Sequence, residues 1–209
     1  MKRIEIVCGN LPCFIGAWFI TNPQLCQDLI EFFESSVEQQ REGVTSGGID
    51  ITVKKSTDLP VNPKDLQLAT HSAIATYIRE LHGCYLDYLQ QWPFLAGFLK
   101  EVDIGAFNIQ RYQAGEHFSG VHSERCSLGS LHRVFAWMTY LNDVEGGGYT
   151  NFKHYGLDIK PERGKTLIWP AEWTHAHSGD VVKSGVKYIV TGWMHFPIPT
   201  SAQIDTRMA

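Results

Sequence analysis

A chain of 209 residues with 44% hydrophobic and 19% charged positions has the composition of a globular domain, which excludes an intrinsically disordered tract. It is long enough to build one domain with a sizeable core and too short to need two. A formal net charge of −4 argues against a broad nucleic-acid surface, and no apolar run approaches the length of a membrane span.

Two short apolar runs, 4–7 and 14–20, read as strands. The start, Met1-Lys2-Arg3 ahead of residues 11–20, has the outline of a secretion signal, but Glu5 and Asn10 interrupt it and no small-residue cleavage site follows. Asn22-Pro23 then reads as an N-cap with proline in the first turn of a helix over 23–40. Its apolar face carries Leu25, Leu29 and Phe33, with Cys26, Ile30 and Val37 beside them. Residues 41–50 are polar and glycine-rich, a loop, with a short strand expected over 49–53. Asn62-Pro63 repeats the helix-start signal. Ile74, Tyr77, Ile78, Leu81, Tyr85 and Tyr88 recur at helical spacing up to Gln91, and Trp92-Pro93 is expected to end that helix.

After Leu99 short runs divided by Gly, Asn and Asp read as strands at 103–113, 133–141, 148–155, 157–159, 165–169, 174–177 and 186–196. The expected fold class is α+β, mainly β, with the strands forming a sandwich or barrel, jelly rolls included. One domain over 1–209 is expected, divided into a helix-rich support (1–99) and a β core (100–198). The five cysteines (Cys8, Cys13, Cys26, Cys84, Cys126) are odd in number and contain no Cys-x-x-Cys pair. No disulfide framework is expected, and a reducing, cytoplasmic setting is the corresponding reading.

The chemistry concentrates between Tyr112 and His195. Alternate residues of a strand share a face, so His122 and Glu124 can present an imidazole and a carboxylate to one point. Read alone, His-x-Glu is a solvated turn before Arg125. With a distal histidine it becomes a two-histidine, one-carboxylate face, which leaves coordination positions open and suits non-haem Fe(II); zinc is chemically possible on the same residues. His175 and His177 both qualify as that histidine, because a strand would aim them at one side. Lys187, Ile189, Thr191, Trp193 and His195 share a face of the last strand, and a lysine among apolar residues needs an anion, either a ligand or a protein carboxylate. Asn108, Gln110 and Tyr112 share a face too polar for an oily core and suited to a ligand cavity. The remaining histidines (His71, His82, His117, His132, His154) read as surface or satisfied core residues.

Residues 103–196 resemble the catalytic core of the prolyl 4-hydroxylase-like group of 2-oxoglutarate oxygenases. That group carries Tyr-x-x-Gly, His-x-Asp, a strand opening with Arg, Gly-Gly-x-Thr-x-Phe, a histidine ten residues before a lysine, and then Trp-x-His. Here these stand in order as Tyr112-x-x-Gly115, His122-x-Glu124, Arg133, Gly147-Gly148-x-Thr150-x-Phe152, His177, Lys187 and Trp193-x-His195. The ten-residue spacing selects His177 over His175. There are two departures: Glu124 replaces the usual aspartate, and one extra residue separates His122 from Phe118, where the group has tyrosine. The first half of the chain is similar only in its strand followed by the 23–40 helix.

The resemblance implies a double-stranded β-helix (jelly roll) with N-terminal bracing helices. It implies Fe(II) on His122, Glu124 and His177, and 2-oxoglutarate on Tyr112, Lys187 and Thr191, with O2 and ascorbate as further cofactors. The implied reaction hydroxylates an amino-acid side chain, peptidyl proline first, with release of succinate and carbon dioxide. Arg133, Trp193, His195 and Phe118 match positions near the substrate. A peptide or amino-acid partner follows, with neither nucleic acid nor membrane. An oxygenase of a free amino acid or small molecule, and a non-catalytic cupin-like binding module, are the competing readings.

Overall fold

The computed structural model describes residues 1–9, 12–99 and 101–197. The expected core limits at 100 and 198, and the end of the single unit at 209, lie outside the described residues. The chain runs through β1 (Lys2–Ile4) and β2 (Gly16–Phe19) into α1 (Pro23–Ser35), then β3 (Arg41–Glu42), β4 (Lys54–Lys55) and β5 (Thr57–Val61). Helices α2 (Ser72–Gln91) and α3 (Pro93–Phe98) lead to β6 (Asp103–Ile104), β7 (Phe107–Tyr112), β8 (His117–His122) and β9 (Arg133–Tyr140). Next come β10 (Gly146–Gly147), β11 (Thr150–Phe152), β12 (Leu157–Ile159) and β13 (Lys165–Pro170). The described strands end with β14 (His177–Gly179), β15 (Val182–Ser184) and β16 (Lys187–His195).

A large sheet has the order β1-β2-β13-β9-β16-β7-β5-β3, with β6 paired to β16; a smaller sheet has the order β12-β11-β14-β8-β4. Side chains alternate across the large sheet, and the two faces have different fates. Phe107, Ile109, Phe135, Trp137, Ile168, Val190 and Met194 point to α1 and α2 and join their apolar stripes in one core. The intervening residues Tyr112, Ala136, Met138, Tyr140, Leu167, Trp169 and Ile189 point the other way and meet Phe152 and Ile159 of the smaller sheet. Gly192 sits on the helix-backed face because a Cβ there would lie 2.7 Å from the Trp137 ring and 2.6 Å from the Phe107 Cβ. Among the described residues no helix is long and apolar enough to cross a membrane.

The α+β, mainly antiparallel architecture with N-terminal helices is the expected one, and several local expectations need correction. Asn22 caps α1 as read, accepting from Gln24 N at 3.1 Å. Asn62 caps only a 3₁₀ turn (Pro63–Gln67), and α2 begins at Ser72. Trp92-Pro93 ends α2 but also opens α3, since proline is tolerated in a first turn. The strand expected over 49–53 is a turn, in which Asp50 accepts from the Thr52 backbone and hydroxyl while Ile49 and Ile51 face solvent. The real strand is β5, hidden by Pro60; that residue lies beyond the β3 pairing (Arg41–Asp58, Glu42–Thr57), so its missing N–H removes no bond on that side. The strand expected over 174–177 begins only at His177, because Trp173–His175 is a 3₁₀ turn.

Candidate functional site

The two sheets enclose a cavity of about 480 Å³ lined by residues of both, among them Asn108, Gln110, Tyr112, His122, Glu124, His177, Lys187, Thr191 and Trp193. His122 ends β8 and His177 opens β14, and these two residues are register partners, which sets their imidazoles side by side with ring centroids 4.5 Å apart. Glu124 lies past the end of β8, so the two-residue alternation that pairs it with His122 is not strand geometry after all. Its Oε1 nevertheless lies 3.3 Å from His177 Nε2 and 3.7 Å from His122 Nε2. One ligand atom from each of the three falls within 4.8 Å of the others, so these residues could hold a metal ion.

Their hydrogen bonds fit that purpose. His122 Nδ1 lies 2.8 Å from the Gly120 carbonyl and His177 Nδ1 2.9 Å from that of His175. Each Nδ1 must carry a proton to donate, which leaves each Nε2 lone pair turned inward for an ion. Burial, with the nearby His177, holds the His122 imidazole below its ordinary pKa and favours the neutral ligand form, against the pull of Glu124. Burial alone would raise Glu124, but the His177 hydrogen bond and charge, His122 and the Trp193 indole bring it down to about 2. Two imidazole nitrogens and one carboxylate oxygen with open positions are a donor set that suits Fe(II).

Lys187 lies deeper, paired with Tyr112 across β16 and β7. It is 3% exposed, and its Nζ donates to the Gly148 carbonyl at 3.1 Å and sits 4.5 Å from the centre of the Tyr112 ring. Burial lowers its pKa to about 8, with only the charge of Asp180 opposing. A buried ammonium held by one neutral carbonyl is a cradle for an incoming carboxylate. The glycine pair upstream serves this contact: Gly147 and Gly148 have φ of +73° and +70°, and a Cβ on Gly148 would press to 3.3 Å from the Lys187 Cδ.

Tyr112 faces the cavity, but its hydroxyl donates to Gln110 Oε1 at 2.8 Å and so is already engaged. Gln110 Nε2 donates to Asp58 Oδ2 at 3.0 Å, Ser56 Oγ donates to Oδ1 at 2.7 Å, and Lys54 Nζ closes the network at 2.6 Å. Sequence reasoning missed Lys54 and Asp58. The signal was present in β5: Leu59 and Val61 join the helix-backed core, so Asp58 must point to the other face, where it meets Gln110 and Lys54 of the cavity wall. Thr191 lines the cavity while its hydroxyl donates to the Trp137 carbonyl at 3.0 Å.

The four residues matched to substrate positions part company. Phe118 stacks on the His122 imidazole, 4.0 Å between centroids and 11° between planes, and so pins a proposed ligand. Trp193 Nε1 donates to Glu124 Oε2 at 2.6 Å, and Arg133 Nη1 donates to the Glu124 carbonyl at 2.9 Å. His195 is absent from the cavity wall; after the bulge between Met194 and His195 its ring packs on His132, 5.0 Å away. His175 is excluded as a ligand by its hydrogen bonds, with Nε2 2.8 Å from the Cys13 carbonyl and Nδ1 3.0 Å from Thr174 Oγ1.

Comparison with known proteins agrees with this geometry. Residues 107–195 match the model of the 2OG-Fe(II) oxygenase superfamily. A probable prolyl 4-hydroxylase 9 of Arabidopsis thaliana is 25% identical over 135 residues, covering 52% of this chain and 47% of its own length. The chain thus spans no more than about half the length of the curated relatives it matches. The viral collagen prolyl hydroxylase of Paramecium Bursaria Chlorella virus-1, solved as a 2OG complex, superposes with a TM-score of 0.65 at 19% identity, over 91% of this chain and 99% of that one. A prolyl hydroxylase from Trichoplax adhaerens, in complex with a hypoxia inducible factor peptide fragment, gives a TM-score of 0.65 at 12% identity, over 88% and 84%. The fold is therefore the double-stranded β-helix of these oxygenases, prolyl 4-hydroxylase-like in form, and residues 107–195 at its core are similar to the 2OG-Fe(II) oxygenase superfamily.

Proposed function

We propose that the chain hydroxylates an amino-acid side chain within a peptide, peptidyl proline first, using Fe(II), 2-oxoglutarate and O2. The observation that carries this reading is the convergence of His122, Glu124 and His177 in one cavity with the buried ammonium of Lys187. The bound ion would supply C–H oxidation coupled to decarboxylation of 2-oxoglutarate to succinate. His122 and His177 hold it through Nε2 and Glu124 through Oε1. Lys187 anchors the far carboxylate of 2-oxoglutarate, and its burial keeps water from weakening that ion pair. Phe118 and the two Nδ1 bonds fix the imidazole planes. Val44 and Val121, 43% and 58% exposed at the cavity wall, give the mouth an apolar rim suited to a peptide side chain. The peptide-bound Trichoplax neighbour supports the same substrate class.

The test is an assay of the purified chain with Fe(II), 2-oxoglutarate, ascorbate and an array of proline-containing peptides. The expected result is succinate, together with a peptide heavier by one oxygen. Any background turnover should vanish in both His122→Ala and Lys187→Ala. Tight 2-oxoglutarate binding without succinate on any peptide would count against a hydroxylase and in favour of a binding module.

A further inference from the structure

Glutamate reaches a metal through two side-chain methylenes, and each rotatable bond is freedom that must be lost before a carboxylate can ligate in one way only. Glu124 has no strand to hold it, yet its two oxygens are sharply distinguished. Oε1 faces the imidazoles, 3.3 Å from His177 Nε2 and 3.7 Å from His122 Nε2. Oε2 faces away and accepts the Trp193 indole N–H at 2.6 Å, a charge-assisted bond. Behind the indole lies Arg133, its guanidinium 3.6 Å from the centre of the Trp193 ring. The same guanidinium donates to the Glu124 backbone carbonyl at 2.9 Å and stands 3.9 Å from Oε2. Carboxylate and backbone are thus clamped by two side chains that stack on each other, from the adjacent strands β9 and β16.

We propose that Trp193, braced by Arg133, is a positioning residue that makes Glu124 a one-oxygen ligand: the indole N–H occupies Oε2 and leaves only Oε1 for the ion. A carboxylate free to swing can bind through both oxygens, and the second would consume a coordination position that the co-substrate or oxygen requires. The clamp keeps that position open and removes the ordering cost of the longer side chain before the metal arrives. This inference rests on the metal site proposed above and deepens it.

The experiment titrates the full apo chain with Mn(II), a redox-stable probe for the same donor set, by calorimetry without co-substrate. Glu124→Ala tests the underlying reading: affinity equal to the unsubstituted chain would remove the metal site and the clamp together. Trp193→Phe, which keeps an aromatic ring but removes the indole N–H together with its five-membered ring, is expected to weaken Mn(II) binding about 10- to 100-fold. Unchanged affinity in that variant, alongside loss in Glu124→Ala, overturns the clamp and leaves the metal site standing. In a Glu124→Asp background the shorter arm cannot span both the imidazoles and the indole, so adding Trp193→Phe should change affinity by less than about threefold. An equal loss in both backgrounds would make the indole a packing element and end the proposal. Arg133→Met supplies a second reading should Trp193→Phe fail to fold; binding as tight as the unsubstituted chain would refute the brace.

Discussion

The large sheet presents two faces built from the same strands, and they obey different rules. The face toward α1 and α2 is closed with Phe107, Trp137, Ile168 and Val190, and the hydroxyls of Tyr77, Thr139 and Thr166 there pair with each other. The face toward the smaller sheet carries Lys187, Gln110, Tyr112 and Trp193, and its polar groups surround a cavity. Along β16 a one-residue step passes from Lys187 in the cavity wall to Tyr188, whose hydroxyl donates to Glu34 of α1. The first face holds the sheet flat against its helices; the second spends stability on chemistry. Substitutions on the first face should therefore cost folding, and those on the second should cost binding.

The largest effect is expected at the cavity. His177→Ala, read by succinate formation, should fall to background with little change in melting temperature. Glu124→Ala should do the same, whereas Glu124→Asp should retain part of the turnover; full activity in the alanine variant would show that the carboxylate is not a ligand. The opposite signature is expected from Trp137→Ala. That ring is fully buried and packs on Tyr77 and Phe107 at 5.8 and 5.4 Å between centroids. Its loss should cost about 3–5 kcal/mol in denaturant unfolding and leave the 2-oxoglutarate Kd of the folded fraction unchanged.

How much of this was legible beforehand follows the same division. Strand alternation in 107–112 and 187–195 reads directly from residue type, because Phe107, Ile109 and Val190 are apolar where Asn108, Gln110 and Lys187 are not. The pairing of His122 with His177 was not legible from spacing alone, since register between β8 and β14 is a long-range property; only the ordered series of motifs pointed to it. Glu124 reached the site for a reason the sequence argument did not use, a bend after β8 held by Arg133 and Trp193. Asp58 escaped notice because Pro60 disguised β5, and Lys54 because β4 is only two residues long. His195 follows strict alternation on paper and leaves the cavity wall at a bulge, which has no sequence signal here.

Lys187 sharpens the comparison because it is a cost on one face with no counterpart on the other. An ordinary lysine titrates at 10.5 and this one at about 8, so between those values the unfolded chain binds more protons than the folded one. Stability from this group therefore rises with pH from about 8 to 10.5, and below 8 the folded empty protein carries the full penalty, about 3 kcal/mol. Lys187→Met should stabilise the empty protein by about that amount at pH 7, with the gain fading from about pH 8 and nearly gone by pH 10.5, while abolishing 2-oxoglutarate binding. In the unsubstituted chain, 2-oxoglutarate affinity should weaken as pH rises beyond 8, because the ammonium is then lost. A variant that is both less stable and still able to bind would contradict the assignment of Lys187 as an unpaired cation.

The smallest expected effects come from two neighbours that point to opposite faces. The Thr139 hydroxyl lies 2.8 Å from the Tyr77 hydroxyl of α2 and 2.8 Å from that of Thr166. Tyr140 turns the other way, and its hydroxyl lies 2.6 Å from Thr150 Oγ1 in the smaller sheet, beside the cavity. Tyr77→Phe and Tyr140→Phe each delete one buried hydrogen bond, so each should cost about 1 kcal/mol of stability. Only Tyr140→Phe should also weaken 2-oxoglutarate, because it releases a cavity-lining threonine, whereas Tyr77→Phe leaves Thr139 bonded to Thr166 on the far side. If calorimetry finds the two variants equally impaired in 2-oxoglutarate binding, the faces are mechanically coupled through β9 and the division of labour between them does not hold.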